Sequence, residues 1–137
     1  MIAYPDTSVL VAALTTDKQT ERALRWLRGD PALLTSTWTL AEFSSVLALQ
    51  RRQGRIDSMG TAAAEDMLDF MVRAVPPKPV LPDDVIEARR IVRDLGFLRA
   101  PDALHLVICR RLGTAMASLD KKLNEGAVAV GLAVVEL

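Results

Sequence analysis

The sequence predicts an α/β fold, a three-layer α/β/α sandwich whose central sheet is mainly parallel. Short apolar stretches without polar alternation are separated by longer segments in which apolar residues recur at helical spacing. That pattern is typical of parallel strands covered by helices on both faces. Half of the 137 residues are hydrophobic and a quarter are charged, a composition that suits a globular domain with its own core. We therefore expect one domain over residues 1–137.

The strand predictions rest on four short apolar stretches. They cover residues 1–5, 32–36, 114–118 and 127–135, and a brief extended segment is expected at 80–81. None of them alternates with polar residues, so both faces of each strand are expected to be buried.

The helix predictions rest on apolar periodicity and on glycine and proline at the boundaries. Helices are expected at residues 8–14, 17–28, 38–52, 58–75, 82–95 and 102–112. Pro82 and Pro101 suit the first turn of a helix, and Gly54, Gly96 and Gly113 suit helix ends.

Charge and cysteine content limit the possible functions. The 17 basic and 17 acidic side chains give a formal net charge of zero, so RNA binding, if present, must depend on local basic clusters. Cys109 is the only cysteine, which excludes an internal disulfide and suits a reducing compartment. No secretory pattern opens the sequence, and its longest apolar run is about half of the ~20 residues that a membrane-spanning helix needs. We expect a cytoplasmic protein without a membrane segment.

Four acidic residues are placed where predicted strands hand over to helices. Asp6 and Asp120 follow the strands at 1–5 and 114–118, Glu42 lies in the first turns of the helix at 38–52, and Asp102 opens its helix. The carboxyl ends of parallel strands meet at one edge of a sheet, where such folds place their sites. We therefore expect the four carboxylates to converge.

Each acid alone has a structural explanation, because aspartate and glutamate are favoured at helix N-termini. Together they would repel one another and raise one another's pKa values, and a divalent cation would remove that cost. Oxygen ligands without a His/Cys set favour Mg²⁺ or Mn²⁺ over Zn²⁺. Such an ion activates water and offsets charge on a phosphodiester.

With these residues the sequence resembles the PIN-domain ribonucleases, and most closely their VapC-type toxin branch. The resemblance rests on Asp6-Thr7-Ser8-Val9-Leu10, Ala41-Glu42-Phe43, the stretch from Arg99 to His105, and Ser118-Leu119-Asp120. It spans nearly the whole chain. One departure is Ser118, which stands where many relatives have threonine.

The resemblance implies a Rossmann-like PIN fold that binds one or two Mg²⁺ or Mn²⁺ ions and hydrolyses RNA phosphodiester bonds. Asp6 and Asp102 would be the principal ligands, Glu42 would bind metal or orient the water, and Asp120 would complete the site directly or through water. It also implies a homodimer and a cognate VapB-type antitoxin that lies across the active-site groove.

The resemblance further implies supporting roles for three hydroxyl residues, Thr7, Ser8 and Ser118. Arg99 is close enough in sequence to Asp102 to contact a substrate phosphate, although it could equally be a surface arginine. His105 lies one helical turn after Asp102, so it could face the metal or protonate a leaving oxygen. The other interpretation of His105 is a packed and hydrogen-bonded histidine.

Two other functions remain open at this point. One is a PIN module without catalytic activity that binds RNA or protein. The other is a phosphotransfer or phosphatase domain with Asp6 as nucleophile. Against the second, position 8 is serine where a second aspartate would be expected, and Glu42 and Asp102 would be left unexplained.

Overall fold

The fold was analysed in a computed structural model that describes residues 1–137. Its elements are β1 (Ala3–Pro5), α1 (Thr7–Leu14), α2 (Thr20–Leu27), α3 (Thr37–Arg52), α4 (Ser58–Ala74), α5 (Pro82–Leu95), α6 (Ala100–Arg111), β2 (Ala115–Ala117) and α7 (Lys121–Ala129). No helix has both the length and the apolar character that a membrane crossing needs.

The sheet is parallel, as predicted, but its regular part has only two strands. β1 pairs with β2 in parallel, with Tyr4 opposite Met116. Isolated parallel bridges join Leu33 to Ala3 on one side and Val134 to Met116 on the other. The predicted strand at 32–36 therefore pairs only through single bridges, from Leu33 to Ala3 and from Ser36 to Lys78.

The helices form two groups, with α1 in contact with α2, α3 and α4, and α6 in contact with α5 and α7. Alternation along β1 explains how both groups meet the sheet. Tyr4 belongs to the core cluster of α5, α6 and α7, whereas Pro5 faces Leu10 and Leu68 of the first group across an apolar cavity. Both faces of the sheet are thus covered by helices, and the predicted α/β/α class is confirmed.

The strand predicted at 127–135 is wrong over its first half. Asp120 caps a helix, α7, that continues to Ala129, and Gly131 follows with a φ of +79°. Alanine and valine in a short apolar run suit a helix as well as a strand. Gly126 packs so closely on Leu98 and Leu106 that an added Cβ would lie 2.5 Å from a Leu98 methyl carbon, so this helix is fixed by close packing.

Candidate active site

All four predicted acids line one pocket of about 440 Å³ at the carboxyl end of the parallel strands. β1 leads into Asp6 and β2 leads through Ser118 to Asp120, while α3 and α6 bring Glu42 and Asp102 from the sides. The arrangement follows from parallel pairing, because it places the ends of β1 and β2 side by side.

Asp6 is the most deeply buried of the four, with 5 % of its surface exposed. Its Oδ1 accepts hydrogen bonds from the Ser8 hydroxyl at 2.6 Å and from the Val9 N–H at 3.3 Å, and its Oδ2 accepts one from the Ser118 hydroxyl at 2.8 Å. Burial raises the pKa of the Asp6 carboxyl, and these hydrogen bonds only partly oppose that shift. Asp6 is therefore both the N-cap of α1 and a fixed wall of the pocket.

Glu42 is partly buried and holds both of its hydrogen bonds on one oxygen. Its Oε2 accepts from the Thr7 hydroxyl at 2.6 Å and from His105 Nε2 at 2.5 Å. Burial acts to raise the pKa of Glu42, but its interaction with His105 and the hydrogen bond from Thr7 outweigh this effect, so the pKa lies below its usual value. Oε1 accepts no hydrogen bond from the protein and stays available to a ligand.

Asp102 has no hydrogen-bond donor among the side chains around it and carries the least compensated charge in the pocket. Burial raises its pKa, and the negative charges of Asp120 and Glu42 raise it further, against the weaker opposing effects of His105 and Arg99. Asp120 caps α7 by accepting the Leu123 N–H at 3.0 Å. The pocket therefore concentrates negative charge that protein cations do not neutralise.

The carboxylates share a pocket without being gathered around one point. No group of three or more His, Cys, Asp or Glu side chains is arranged closely enough to hold a metal ion. The hydrogen bonds explain this spread, because Asp6 and Glu42 turn oxygens toward serine, threonine and histidine donors.

The donor set of the pocket nevertheless fits a hard divalent cation. Four carboxylates and hydroxyl oxygens line it, and the only cysteine, Cys109, is buried elsewhere with a pKa that burial raises to about 11. Oxygen ligands without thiolate are those that Mg²⁺ and Mn²⁺ prefer. The excess negative charge around Asp102 is the observation that favours a cation there.

The hydroxyl residues named with the acids contact them, whereas Arg99 lies outside the pocket lining. Ser8 and Ser118 bind Asp6, and Thr7 binds Glu42. Arg99 is exposed at the N-cap of α6, does not line the pocket, and makes no ion pair within the chain. It is near enough to lower the pKa of Asp102 slightly.

Tyr4 was missed by the sequence analysis, and His105 was left open there. His105 is 2 % exposed and uses both ring nitrogens, since Nδ1 bonds to the Tyr4 hydroxyl at 3.0 Å and Nε2 to Glu42. Two signals could have indicated the pair. Tyr4 lies in β1, two residues before Asp6, and His105 lies in α6, one turn after Asp102, so each is close in sequence to a predicted site residue.

The fold and the acidic pocket define a class, the α/β/α domains that collect carboxylates at the carboxyl edge of a parallel sheet. The sequence model of the PIN domain matches residues 3–128. This chain belongs to the PIN-domain family. That assignment leaves the phosphotransfer alternative without support. No curated protein matches the sequence.

Three solved structures illustrate the similarity of the fold. VapC20 of Mycobacterium tuberculosis, described as a sarcin–ricin loop cleaving toxin, has a TM-score of 0.68 at 20% identity, over 98% of this chain and 99% of that one. FitAcB of Neisseria gonorrhoeae has a TM-score of 0.72 at 20% identity, over 99% and 97%. VapBC2 of Rickettsia felis, solved with a promoter DNA fragment, has a TM-score of 0.67 at 13% identity, over 99% and 98%. At these identities the similarity shows the fold.

Proposed function

We propose that this chain is a Mg²⁺- or Mn²⁺-dependent endoribonuclease and the toxin of a toxin–antitoxin pair, folded as one domain over residues 1–137 and acting in the cytoplasm. The observation that carries the proposal is that Asp6, Glu42, Asp102 and Asp120 line one pocket, where no arginine or lysine is bonded to their carboxylates and Asp102 carries a raised pKa. PIN-family membership over residues 3–128 supports it.

The proposal assigns different roles in metal binding to the residues of the pocket. Asp6, Glu42 and Asp102 would hold one or two ions, with Asp120 binding directly or through water. When bound, a divalent ion lowers the pKa of a coordinated water and offsets negative charge on the phosphodiester. Ser8 and Ser118 fix the Asp6 carboxylate by hydrogen bonds.

Two further residues complete the mechanism on the protein side. Thr7 donates to Oε2 of Glu42, so Oε1 is the oxygen left for a ligand or its water. Arg99, exposed at the N-cap of α6, would contact a phosphate of the RNA, since guanidinium geometry suits that contact.

The proposal is tested by RNA cleavage in Mn²⁺ or Mg²⁺, in excess chelator, and after the metal is restored. We expect cleavage only with free divalent metal. Asp102→Asn should abolish it, and Asp83→Asn is the matched control, because both aspartates follow a proline in the first turn of a helix but Asp83 is exposed outside the pocket. Undiminished cleavage in chelator, or in Asp102→Asn, would contradict the proposal.

A second candidate is a PIN module that binds RNA or protein without cleaving it. The observation that favours it is the spread of the carboxylates, which are not gathered at coordination distance. Tight RNA binding that is independent of metal, with no product after prolonged incubation, would establish this alternative.

We further propose a homodimer and a VapB-type antitoxin as partners. The antitoxin is supported by the fold shared with toxin–antitoxin complexes. The dimer is supported by an apolar groove of about 390 Å³ lined by Trp38, Val85, Val92 and Leu104. Light scattering should give twice the 15.0 kDa chain mass, and a monomer would refute the dimer.

A further inference from the structure

The side chain that links the two helices of the acidic pocket is His105. It comes from α6, one turn after Asp102, and its Nε2 reaches Oε2 of Glu42 on α3. A carboxylate can only accept a hydrogen bond, so Nε2 carries the proton of this contact. The bond therefore ties the position of one candidate ligand to the helix that bears another.

The other face of His105 is anchored by a buried hydroxyl. Nδ1 lies 3.0 Å from the Tyr4 hydroxyl, which also contacts Ser36 Oγ at 2.7 Å and Thr39 Oγ1 at 3.1 Å. Burial raises the pKa of the Tyr4 phenol far above its ordinary value, so the phenol keeps its proton at neutral pH. With a neutral ring, Tyr4 donates to Nδ1 and accepts from the two hydroxyls.

This chain of hydrogen bonds begins and ends on the same helix. Ser36 is the N-cap of α3 and Thr39 lies in its first turn, three residues before Glu42. Tyr4 of β1 and His105 of α6 thus close a loop of contacts from the start of α3 back to Glu42. Apart from Glu42, its members are buried, with Tyr4, Ser36 and Thr39 fully inaccessible to solvent. Rearrangement is therefore costly, because any broken bond among them would leave a polar group unpaired.

We propose that His105 is a positioning residue that, held by Tyr4, orients the Glu42 carboxylate for divalent metal. This inference rests on the proposed function, since it assigns a role toward the same ion. Both hydrogen bonds of Glu42 fall on Oε2, which directs Oε1 to the ligand. Partners that orient metal ligands in this way commonly contribute about 10- to 100-fold to metal affinity.

The test measures Mn²⁺ binding by calorimetry on folded, metal-free protein, independently of RNA cleavage. We expect His105→Ala to weaken Mn²⁺ binding about 10- to 100-fold. His105→Gln keeps an N–H donor and should recover most of the affinity, and Tyr4→Phe should give a smaller loss. Thr114→Val is the control, since it removes a buried hydroxyl bonded only around Cys109 and should leave Mn²⁺ affinity unchanged.

The outcomes separate this inference from the proposed function. Wild-type protein that neither binds Mn²⁺ nor cleaves RNA refutes the proposed function and removes the basis of this inference. Wild-type protein that does both, together with a folded His105→Ala variant of unchanged Mn²⁺ affinity, refutes the inference alone. Equal losses in His105→Gln and His105→Ala also refute it, because the N–H donor would then be irrelevant.

A second measurement covers the case in which His105→Ala does not fold. His105 is the only histidine, so its ring resonances in nuclear magnetic resonance spectra need no further assignment. We expect a slowly exchanging Nε2–H signal that shifts when Mg²⁺ is added and is lost in Glu42→Ala, which removes the acceptor. Ring signals that stay unchanged while Mg²⁺ saturates the protein would overturn the positioning role.

Discussion

Two groups of aspartates in this molecule have opposite electrostatic surroundings. Asp84 of α5 is 2 % exposed and accepts hydrogen bonds at 2.8 Å from both Nε and Nη2 of Arg111. Although burial acts against it, this pairing holds the pKa of Asp84 below its usual range. Asp6 and Asp102 have no arginine partner, and their pKa values are raised. An arginine thus neutralises the buried Asp84 outside the pocket, whereas no arginine is bonded to Asp6 or Asp102 inside it.

The largest expected effect separates the two sets by activity. Asp6→Asn and Asp102→Asn should each lower RNA cleavage by about 1,000-fold or more, the size of losing several kcal/mol of metal-dependent stabilisation of the transition state. Their free energy of unfolding, measured in urea without metal, should stay equal or rise, because an unneutralised charge is removed. A large loss of stability with retained cleavage would reverse the distinction.

Asp84→Asn should show the opposite pattern. It weakens the two charge-assisted hydrogen bonds from Arg111, and because the Arg111 side chain is itself solvent-exposed, we expect a cost of about 2 kcal/mol. We expect that loss in urea unfolding, together with a normal cleavage rate per folded molecule at low temperature. A normal stability would mean that the Arg111 pair contributes little to the fold.

Mn²⁺ should stabilise the folded protein through the aspartates of the acidic pocket, and this stabilisation should not depend on Asp84. At a free Mn²⁺ concentration of about 100 times Kd, binding to the native state alone adds about 2.7 kcal/mol to the free energy of unfolding. Wild type and Asp84→Asn should gain the same increment, and Asp102→Asn should gain little. Equal gains in all three proteins would indicate that the ion binds outside the acidic pocket.

In the absence of metal, Asp84 and Asp102 should change the free energy of unfolding with pH in opposite directions. The pKa of Asp84 is lowered on folding, so its contribution is present above the unfolded value of about 3.9 and is lost as pH falls through the native pKa. The pKa of Asp102 is raised, so its contribution is present below about 3.9 and is lost as pH rises through the native pKa.

Urea unfolding of variants and wild type between pH 3 and pH 7 measures this difference. The advantage of Asp102→Asn over wild type should grow as pH rises above about 4. The deficit of Asp84→Asn should stay constant from pH 7 to about 4 and shrink below that. Curves that run parallel for both variants would contradict the assigned shifts.

The smallest effect is expected for the substitution of Arg99. Arg99→Ala removes an exposed cation that forms no ion pair, and should raise the KM for RNA a few-fold, with a salt dependence of binding reduced by about one charge. kcat and Mn²⁺ affinity should be nearly unchanged. A loss of kcat as large as that of Asp102→Asn would instead indicate that Arg99 acts in the catalytic step.

Much of the fold and the candidate site was predictable because the signals were local. Proline at helix starts predicted α5 and located α6 to within two residues, and β1 and β2 were found within the predicted stretches. The four acids were expected at one edge, and they line one pocket, since parallel pairing alone places strand ends together. Their roles in metal binding and catalysis stay predictions.

The rest depended on contacts between distant residues. The local sequence of the alanine and valine run in α7 suits a helix and a strand equally well. The close packing of Gly126 on Leu98 favours the helix. Likewise, the partners of His105 come from β1 and α3, 101 and 63 residues away in sequence. No periodicity encodes such pairings, so the hydrogen-bond network was found only in three dimensions.

The most direct test of the account is anomalous scattering from crystals of the metal-free protein soaked in Mn²⁺. We predict a peak inside the acidic pocket, with Asp6, Glu42 and Asp102 oxygens or their bridging waters as ligands and no peak beside Asp84. Saturating Mn²⁺ that leaves the pocket empty, or a peak elsewhere only, would contradict the claim that these carboxylates exist to bind a divalent ion.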